Sequence, residues 1–430
     1  MRGSYVSEME SPVQHTVDYF FGVELLTLNE SILNIAAPYI QRELGIGEFQ
    51  LGLLLSAANI GYVLSQIPGG VLSDRYGSRW FMIASMLILS AFTSFFGFVS
   101  AVIWMFIIRL FFGIGQGFYL GAYFKTIGSW FPERERGRAN SAMFIAQYTG
   151  AILSIALVGI ILPHLGWRWV FYPSFLFGLL AAVLIWKYVS DSPARSRRVS
   201  QQELAEISCD EDKAEPSQDS RRRAFGQVIK SPVIWKFLLI WFFYDMALVG
   251  AITWLPQFLV NERNLSLGNM ALITICINVA GIITPILGGG LSDKLFRNNR
   301  KLLFILASLL GLPFVYLSFI VQSNLLMTVC FVIATVFLAT ASVAFWAMPV
   351  TLLSKETIGT SATVINVGGQ IAAIVTPSII GAIISGTNGN YMYMGYVLMA
   401  GMVIAALLSI SLPKSATQQP NMACRRSEHV

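Results

Sequence analysis

Apolar residues run through this chain in blocks of roughly twenty, the length an α-helix needs to cross the hydrocarbon core of a bilayer. Twelve such blocks predict helices over residues 17–38, 50–72, 80–99, 102–124, 139–162, 168–189, 233–259, 267–290, 301–320, 324–350, 359–385 and 391–412. Six precede a long polar interval and six follow it. The expected organisation is a tail over 1–16, a six-helix bundle over 17–189, a linker over 190–232, a second six-helix bundle over 233–412 and a tail over 413–430. The linker holds Arg195, Arg197, Arg198, the Asp210-Glu211-Asp212 run and Arg221-Arg222-Arg223, and is too polar to bury a core of its own. The predicted class is an all-α membrane protein.

A motif repeats across the two sets of helices. Gly69-Gly70-Val71-Leu72-Ser73-Asp74-Arg75-Tyr76-Gly77-Ser78-Arg79 returns in shortened form as Gly288-Gly289-Gly290-Leu291-Ser292-Asp293-Lys294, each copy between two apolar blocks. Asp293 follows Asp74 by 219 residues, close to half of the 430-residue chain. Two related halves are therefore expected to face each other with pseudo-symmetry, and a duplicated membrane bundle of this kind moves solutes. Its substrate is expected near the midplane, between helices 1, 4, 7 and 10.

Composition agrees: 55% hydrophobic and 12% charged residues leave too little polar surface to coat a soluble protein of this length. The net charge of +6 has a topological cause. With a cytoplasmic N-terminus, the outer loops hold only Arg42, Arg168 and Arg263, Arg109 lies within the membrane, and the other Lys and Arg residues fall on the cytoplasmic side. This predicts a multi-pass protein of the cell membrane, the inner membrane in a bacterium, with both termini cytoplasmic and no call for nucleic acid. Residues 1–16 run into the first span without a cleavable signal peptide. The four cysteines form no disulfide framework or Cys-x-x-Cys pair, and His15, His164 and His429 are too scattered for a metal site. No phosphate-binding Gly-x-x-x-x-Gly-Lys-Ser/Thr and no His-Glu-x-x-His occurs, so neither an enzyme nor a cofactor is expected, and energy must come from a gradient.

The charges inside the spans carry the chemistry. Arg109 in helix 4 costs about 2.5–3.5 kcal/mol on insertion scales unless it meets water, a partner or a ligand. Gln116, seven residues on, returns to the same face together with Phe112 and Tyr119, a pattern suited to a water-filled cavity. The plainer alternative is that Arg109 ties helices together through carbonyls. Glu30 in helix 1 has Thr27 and Asn34 on its face and is the first choice for a proton-coupling group. Its competitors are Asp245, beside Tyr244 in helix 7, and Glu24, which lies nearer the cytoplasmic end and either couples protons or simply reaches water. The expected substrate contacts are Arg109, Gln116, Asn29, Asn34, Tyr119, Tyr244 and Trp346, with Trp241 a further aromatic candidate. Gly113, Gly117 and Gly121 recur at the four-residue spacing of close helix packing.

The Asp74-Arg75-x-Gly77-x-Arg79 turn, Arg109-Leu-Phe-Phe-Gly113-Ile-Gly115-Gln116-Gly117, Ser129-Trp130-Phe131-Pro132-Glu133-Arg134-Glu135-Arg136-Gly137-Arg138-Ala139 and Gly166-Trp167-Arg168-Trp169-Val170-Phe171 together resemble the major facilitator superfamily. More narrowly they resemble its anion:cation symporter branch, which includes carriers of sugar acids and other organic anions. Trp254-Leu255-Pro256 and Asn366-Val367-Gly368-Gly369-Gln370 extend the likeness through the second half and add Asn366 to the expected substrate contacts. Members that import sugar acids commonly have an Asp-Arg pair in the first helix and a carboxylate on the fourth, a few residues after its arginine. Asn29-Glu30 and Gln116 stand at those positions here. The resemblance also implies a gate in which Glu133 and Arg136, with Gly70, Asp74, Arg75, Arg79 and Asp293 at the repeated turns, latch the outward-open state. The expected function is secondary active, proton-coupled uptake of a small organic acid or related metabolite by alternating access, in a monomer whose partners are substrate, protons and lipid. One alternative is proton-driven export of a toxic or self-made small molecule, because the missing Asp-Arg pair and aromatic-rich lining suit a larger, less anionic ligand. The other is a non-transporting receptor or scaffold, though no signalling domain is attached.

Overall fold

Helices stand where the apolar blocks are. The computed structural model describes residues 10–130, 133–189, 226–296, 299–353 and 358–413. The first half contains α1 (Glu10–Leu44), α2 (Glu48–Tyr76), α3 (Ser78–Phe96), α4 (Val102–Trp130), α5 (Glu133–Leu165) and α6 (Pro173–Tyr188). The second contains α7 (Pro232–Gln257), α8 (Leu267–Leu295), α9 (Arg300–Ile320), α10 (Asn324–Leu352), α11 (Ile358–Gly386) and α12 (Met392–Ile410). Eleven are long and apolar enough to cross a membrane, and α1, diluted by Glu24, Asn29, Glu30, Asn34 and Gln41, is the twelfth.

Most helices extend a few residues beyond their apolar blocks, α1 starting at Glu10 rather than 17 and α5 at Glu133 rather than 139, and three of the differences have a local cause. The first helix runs to Leu44 rather than 38, because Ala36, Ala37 and Ile40 are fully buried around Pro38 and tertiary packing outweighs the one hydrogen bond proline removes. The sixth block breaks into a short turn, Arg168–Phe171, and a helix that begins on Pro173, a residue preorganised for the first helical position. Residues Phe258–Glu262 continue α7 as a π-turn, a wider winding often found where a helix carries function. Of the interval read as a linker, residues 190–225 lie outside the described residues, as do the tails 1–9 and 414–430.

The duplication is a repeat of packing as well as of sequence. In the first half α1 packs on α5, α2 on α4 and α3 on α6; in the second α7 packs on α11, α8 on α10 and α9 on α12. Adding six to each number carries one set onto the other. The halves meet through α2 with α11, through α5 with α8 (the same pair under that mapping) and through α1 with α7. The glycine spacing of α4 does what its pattern predicts. A methyl group on Gly113 would overlap the Ala58 carbonyl oxygen of α2, and one on Gly61 the Leu110 carbonyl oxygen of α4, so the two backbones touch. At the end of α2, Gly77 has φ +90, a conformation that only glycine adopts freely, and it turns the chain directly into α3.

Charged residues sort onto the two ends of the bundle. Arg42, Arg168 and Arg263 share one end: Arg42 donates to the Val260 carbonyl, Arg168 pairs with Glu43 and Arg263 donates to the Val321 carbonyl. At the other end Arg79 donates to the Trp186 carbonyl, Lys125 to the Ser73 carbonyl, Lys236 to the Ser411 carbonyl and Lys301 to the Ile410 and Leu412 carbonyls. The two halves are closed against each other toward the Arg42 end. There Arg42 Nη2 lies 3.3 Å from Val260 O, Asn261 Nδ2 lies 3.2 Å from Gln41 Oε1, Ser56 Oγ lies 3.1 Å from Ser378 Oγ and Asn59 Nδ2 lies 3.1 Å from Ala373 O. Gly52 and Gly381 bring α2 and α11 into backbone contact beside these bonds, against Pro377 and Glu48 respectively.

Candidate functional site

Midway along α1, Glu30 is enclosed by the bundle yet partly accessible, the mark of a side chain that lines an internal cavity. Gln116 of α4 donates from Nε2 to Glu30 Oε2 at 3.0 Å. Arg109, two helical turns before Gln116 on the same face, is 4% exposed, and its guanidinium lies over the Phe112 ring at 4.5 Å from the centroid. Glu30 and Arg109 act on one another electrostatically, yet among the described residues they form no ion pair, and Arg109 Nε is buried with no hydrogen-bond partner. The carbonyl tie weighed for Arg109 therefore has no counterpart among the described contacts.

Other polar groups on α1 and α4 are also unspent. Asn29 is fully buried with neither amide atom partnered, Gln116 Oε1 is free, and so is the hydroxyl of Tyr119, which abuts Gly22 of α1. Each such group costs about 1–3 kcal/mol if nothing completes it, so a cluster of them marks a place for ligand or water. Asn34 is half-buried on the Glu30 stripe, while Thr27 spends its hydroxyl on the Val23 carbonyl. Glu24 is 8% exposed and has no hydrogen bond or ion pair among the described residues.

In the second half Trp241 of α7 stacks on Phe345 and meets the edge of Trp346, with centroids 4.8 and 5.1 Å apart. Tyr244 is fully buried and donates its hydroxyl to the Leu338 carbonyl of α10, so this tyrosine is committed to packing rather than open to a ligand. Asp245, Trp346 and Asn366 are partly accessible. Asp245 has no hydrogen bond or ion pair among the described residues, and its Oδ2 lies 2.9 Å from where a Cβ on Gly369 of α11 would stand. The α11 glycines thus bring α7 close, with the Asp245 carboxylate packed where a side chain on residue 369 would stand.

Of the gate residues, the side chains of Asp74, Glu133, Arg136 and Asp293 lie outside the described residues. Arg75 is exposed beside Tyr76, and Arg79 braces the end of α6. Gly70 has open space on its side-chain face, whereas its neighbour Gly69, rotated about 100° around the helix, is the one pressed against Phe118. Sequence reasoning passed over Tyr62 and Gln66. Gln66 Nε2 donates to Tyr62 Oη at 3.0 Å, and Tyr62 lies within the field of Glu30. Their spacing of four within an otherwise apolar block was the available signal.

Comparison with known proteins extends over the whole arrangement. The Major Facilitator Superfamily matches residues 19–377. The hexuronate transporter of Bacillus subtilis (strain 168) is 27% identical over 395 residues, which is 89% of this chain and 90% of that protein. A protein named "Probable galactarate/D-glucarate transporter GudP" from the same organism is 29% identical over 404 residues, 89% of this chain and 88% of that protein. Among solved structures, a bacterial homolog to the human lysosomal transporter Spinster, inward-facing and occupied, superposes with a TM-score of 0.75 at 16% identity over 94% of this chain and 97% of that one, a likeness of fold.

Proposed function

The chain belongs to the Major Facilitator Superfamily, and from that premise we propose that it is a secondary active carrier taking up a small organic acid together with protons by alternating access. The observation that carries this reading is the Gln116–Glu30 hydrogen bond beside an arginine without an ion pair. Arg109 can neutralise one carboxylate at a time. When a substrate carboxylate takes it, Glu30 is left uncompensated in the membrane interior unless it carries a proton, so binding of the acid and loading of the proton go together. Asn29, Gln116 and Tyr119 supply the unspent polar groups for the rest of the substrate. Compared with those importers, Glu30 puts a carboxylate in place of the first-helix arginine and Gln116 an amide in place of the fourth-helix acid, and the two are bonded to each other. Both relatives are named for sugar acids, which favours uptake of a carboxylate over export of a less anionic molecule.

In this reading the Arg42 end faces outward and the Lys- and Arg-rich end, with both termini, faces the cytoplasm. The structure then stands closed to the outside, and the turns around Gly70, Asp74, Arg75, Arg79 and Asp293, with Glu133 and Arg136, latch the opposite side in the other half of the cycle. Uptake requires the outer closure to part. Ser56 and Ser378 face each other across it at 3.1 Å between hydroxyl oxygens, close enough for a disulfide after double substitution with cysteine. The Ser56→Cys/Ser378→Cys protein should lose uptake on oxidation and regain it on reduction, while either single variant should be indifferent to both treatments. Undiminished uptake by fully cross-linked protein would rule out alternating access through this interface.

A further inference from the structure

The interior charge is lopsided. Among the described residues Arg109 is the only buried Lys or Arg, and it serves the α1–α4 side of the cavity. On the other side, α7 presents Asp245, a partly accessible carboxylate with no described partner, packed against Gly369 in the space a side chain there would fill. At the same glycine stands a neutral donor, the Trp241 indole N–H, and α11 carries two half-buried amides on either side of Gly369, Asn366 and Gln370, without hydrogen bonds among the described residues. An acceptor flanked by neutral donors suits a hydroxyl group, which gives one hydrogen bond and receives others. A carboxylate only accepts, and with no described cation beside Asp245 it could be admitted only if Asp245 first took up a proton, a cost that a hydroxyl does not impose.

We infer that Asp245 is a specificity-determining residue: the cavity takes a monocarboxylate whose far end bears hydroxyl groups, and it rejects the corresponding dicarboxylate. This rests on the organic-acid reading above and narrows it. It also separates this chain from the relative named for galactarate and D-glucarate, both dicarboxylates, and sets it nearer the one named for hexuronate.

The test uses matched pairs that differ only in whether carbon 6 is an alcohol or a carboxylate. D-gluconate with D-glucarate, and D-galactonate with galactarate, are titrated into the purified full-length protein, and binding is followed by calorimetry. In the matched pair that binds, the monoacid should bind on the order of a hundredfold more tightly than the diacid, as expected for an uncompensated like-charge contact. Asp245→Asn should shrink that ratio by tenfold or more, and Asp245→Glu should keep it. The readout is a ratio of two dissociation constants in one preparation, so a general loss of folding does not imitate it. Diacid binding as tight as monoacid binding, or a ratio unchanged in Asp245→Asn, overturns the inference and leaves the organic-acid reading standing. If no member of either pair binds, while D-glucuronate also fails, that reading falls and this inference with it.

Discussion

Replacing Arg109 by alanine should weaken substrate binding by about two to three orders of magnitude, because removing one partner of a buried charge pair costs about 3–5 kcal/mol. The geometry makes the arginine available for this role. Its guanidinium is fixed over Phe112, its Nε has no partner, and no ion pair among the described residues competes with an incoming carboxylate. Arg109→Lys should recover little of the loss, since a point charge on a flexible stem cannot present two parallel N–H groups to a carboxylate or lie flat on a ring in the same way. Equilibrium binding to purified protein measures both. An alanine variant that binds like the parent would reduce Arg109 to a structural element and take away the main physical support for an anionic substrate.

Glu30→Gln should produce a different failure. Glutamine is isosteric and can still bond Gln116, so binding and exchange of substrate across the membrane should survive within a few-fold. With no proton to carry, the variant should not concentrate substrate against a gradient, because exchange needs no net proton movement and accumulation does. Counterflow and gradient-driven uptake measured side by side in proteoliposomes separate the two. Accumulation equal to the parent would transfer the coupling role to Asp245 or Glu24, both of which lie in the bundle without described partners.

The parts of this arrangement that were legible in the sequence are those set by periodicity and by the cost of charge in lipid. Blocks of twenty apolar residues located the twelve long helices of the described residues, and the seven-residue return from Arg109 to Gln116 placed both on one face, as the structure shows them. Glu30 stood out because a carboxylate there needs a reason. What stayed hidden depends on the third dimension. That Gln116 bonds Glu30 rather than merely sharing a cavity with it requires the crossing of α1 and α4. That Tyr244 turns its hydroxyl into α10 follows from packing that no local pattern encodes. Gly69 rather than Gly70 turns its side-chain face onto Phe118 because one residue is about 100° of helix, finer than a motif of adjacent glycines can resolve. The persistence of α1 through Pro38 likewise reflects burial, which sequence-local helix rules leave out.

If a proton gradient, acting through the α1–α4 site, drives accumulation of an organic acid, the gradient alone should suffice. The most direct measurement is uptake of a radiolabelled sugar monoacid into proteoliposomes holding only this protein, with an inward proton gradient imposed and no nucleotide present. Substrate should accumulate above equilibrium, and the accumulation should collapse when a protonophore is added. Uptake that is indifferent to the protonophore, or that appears only with ATP, would contradict proton coupling.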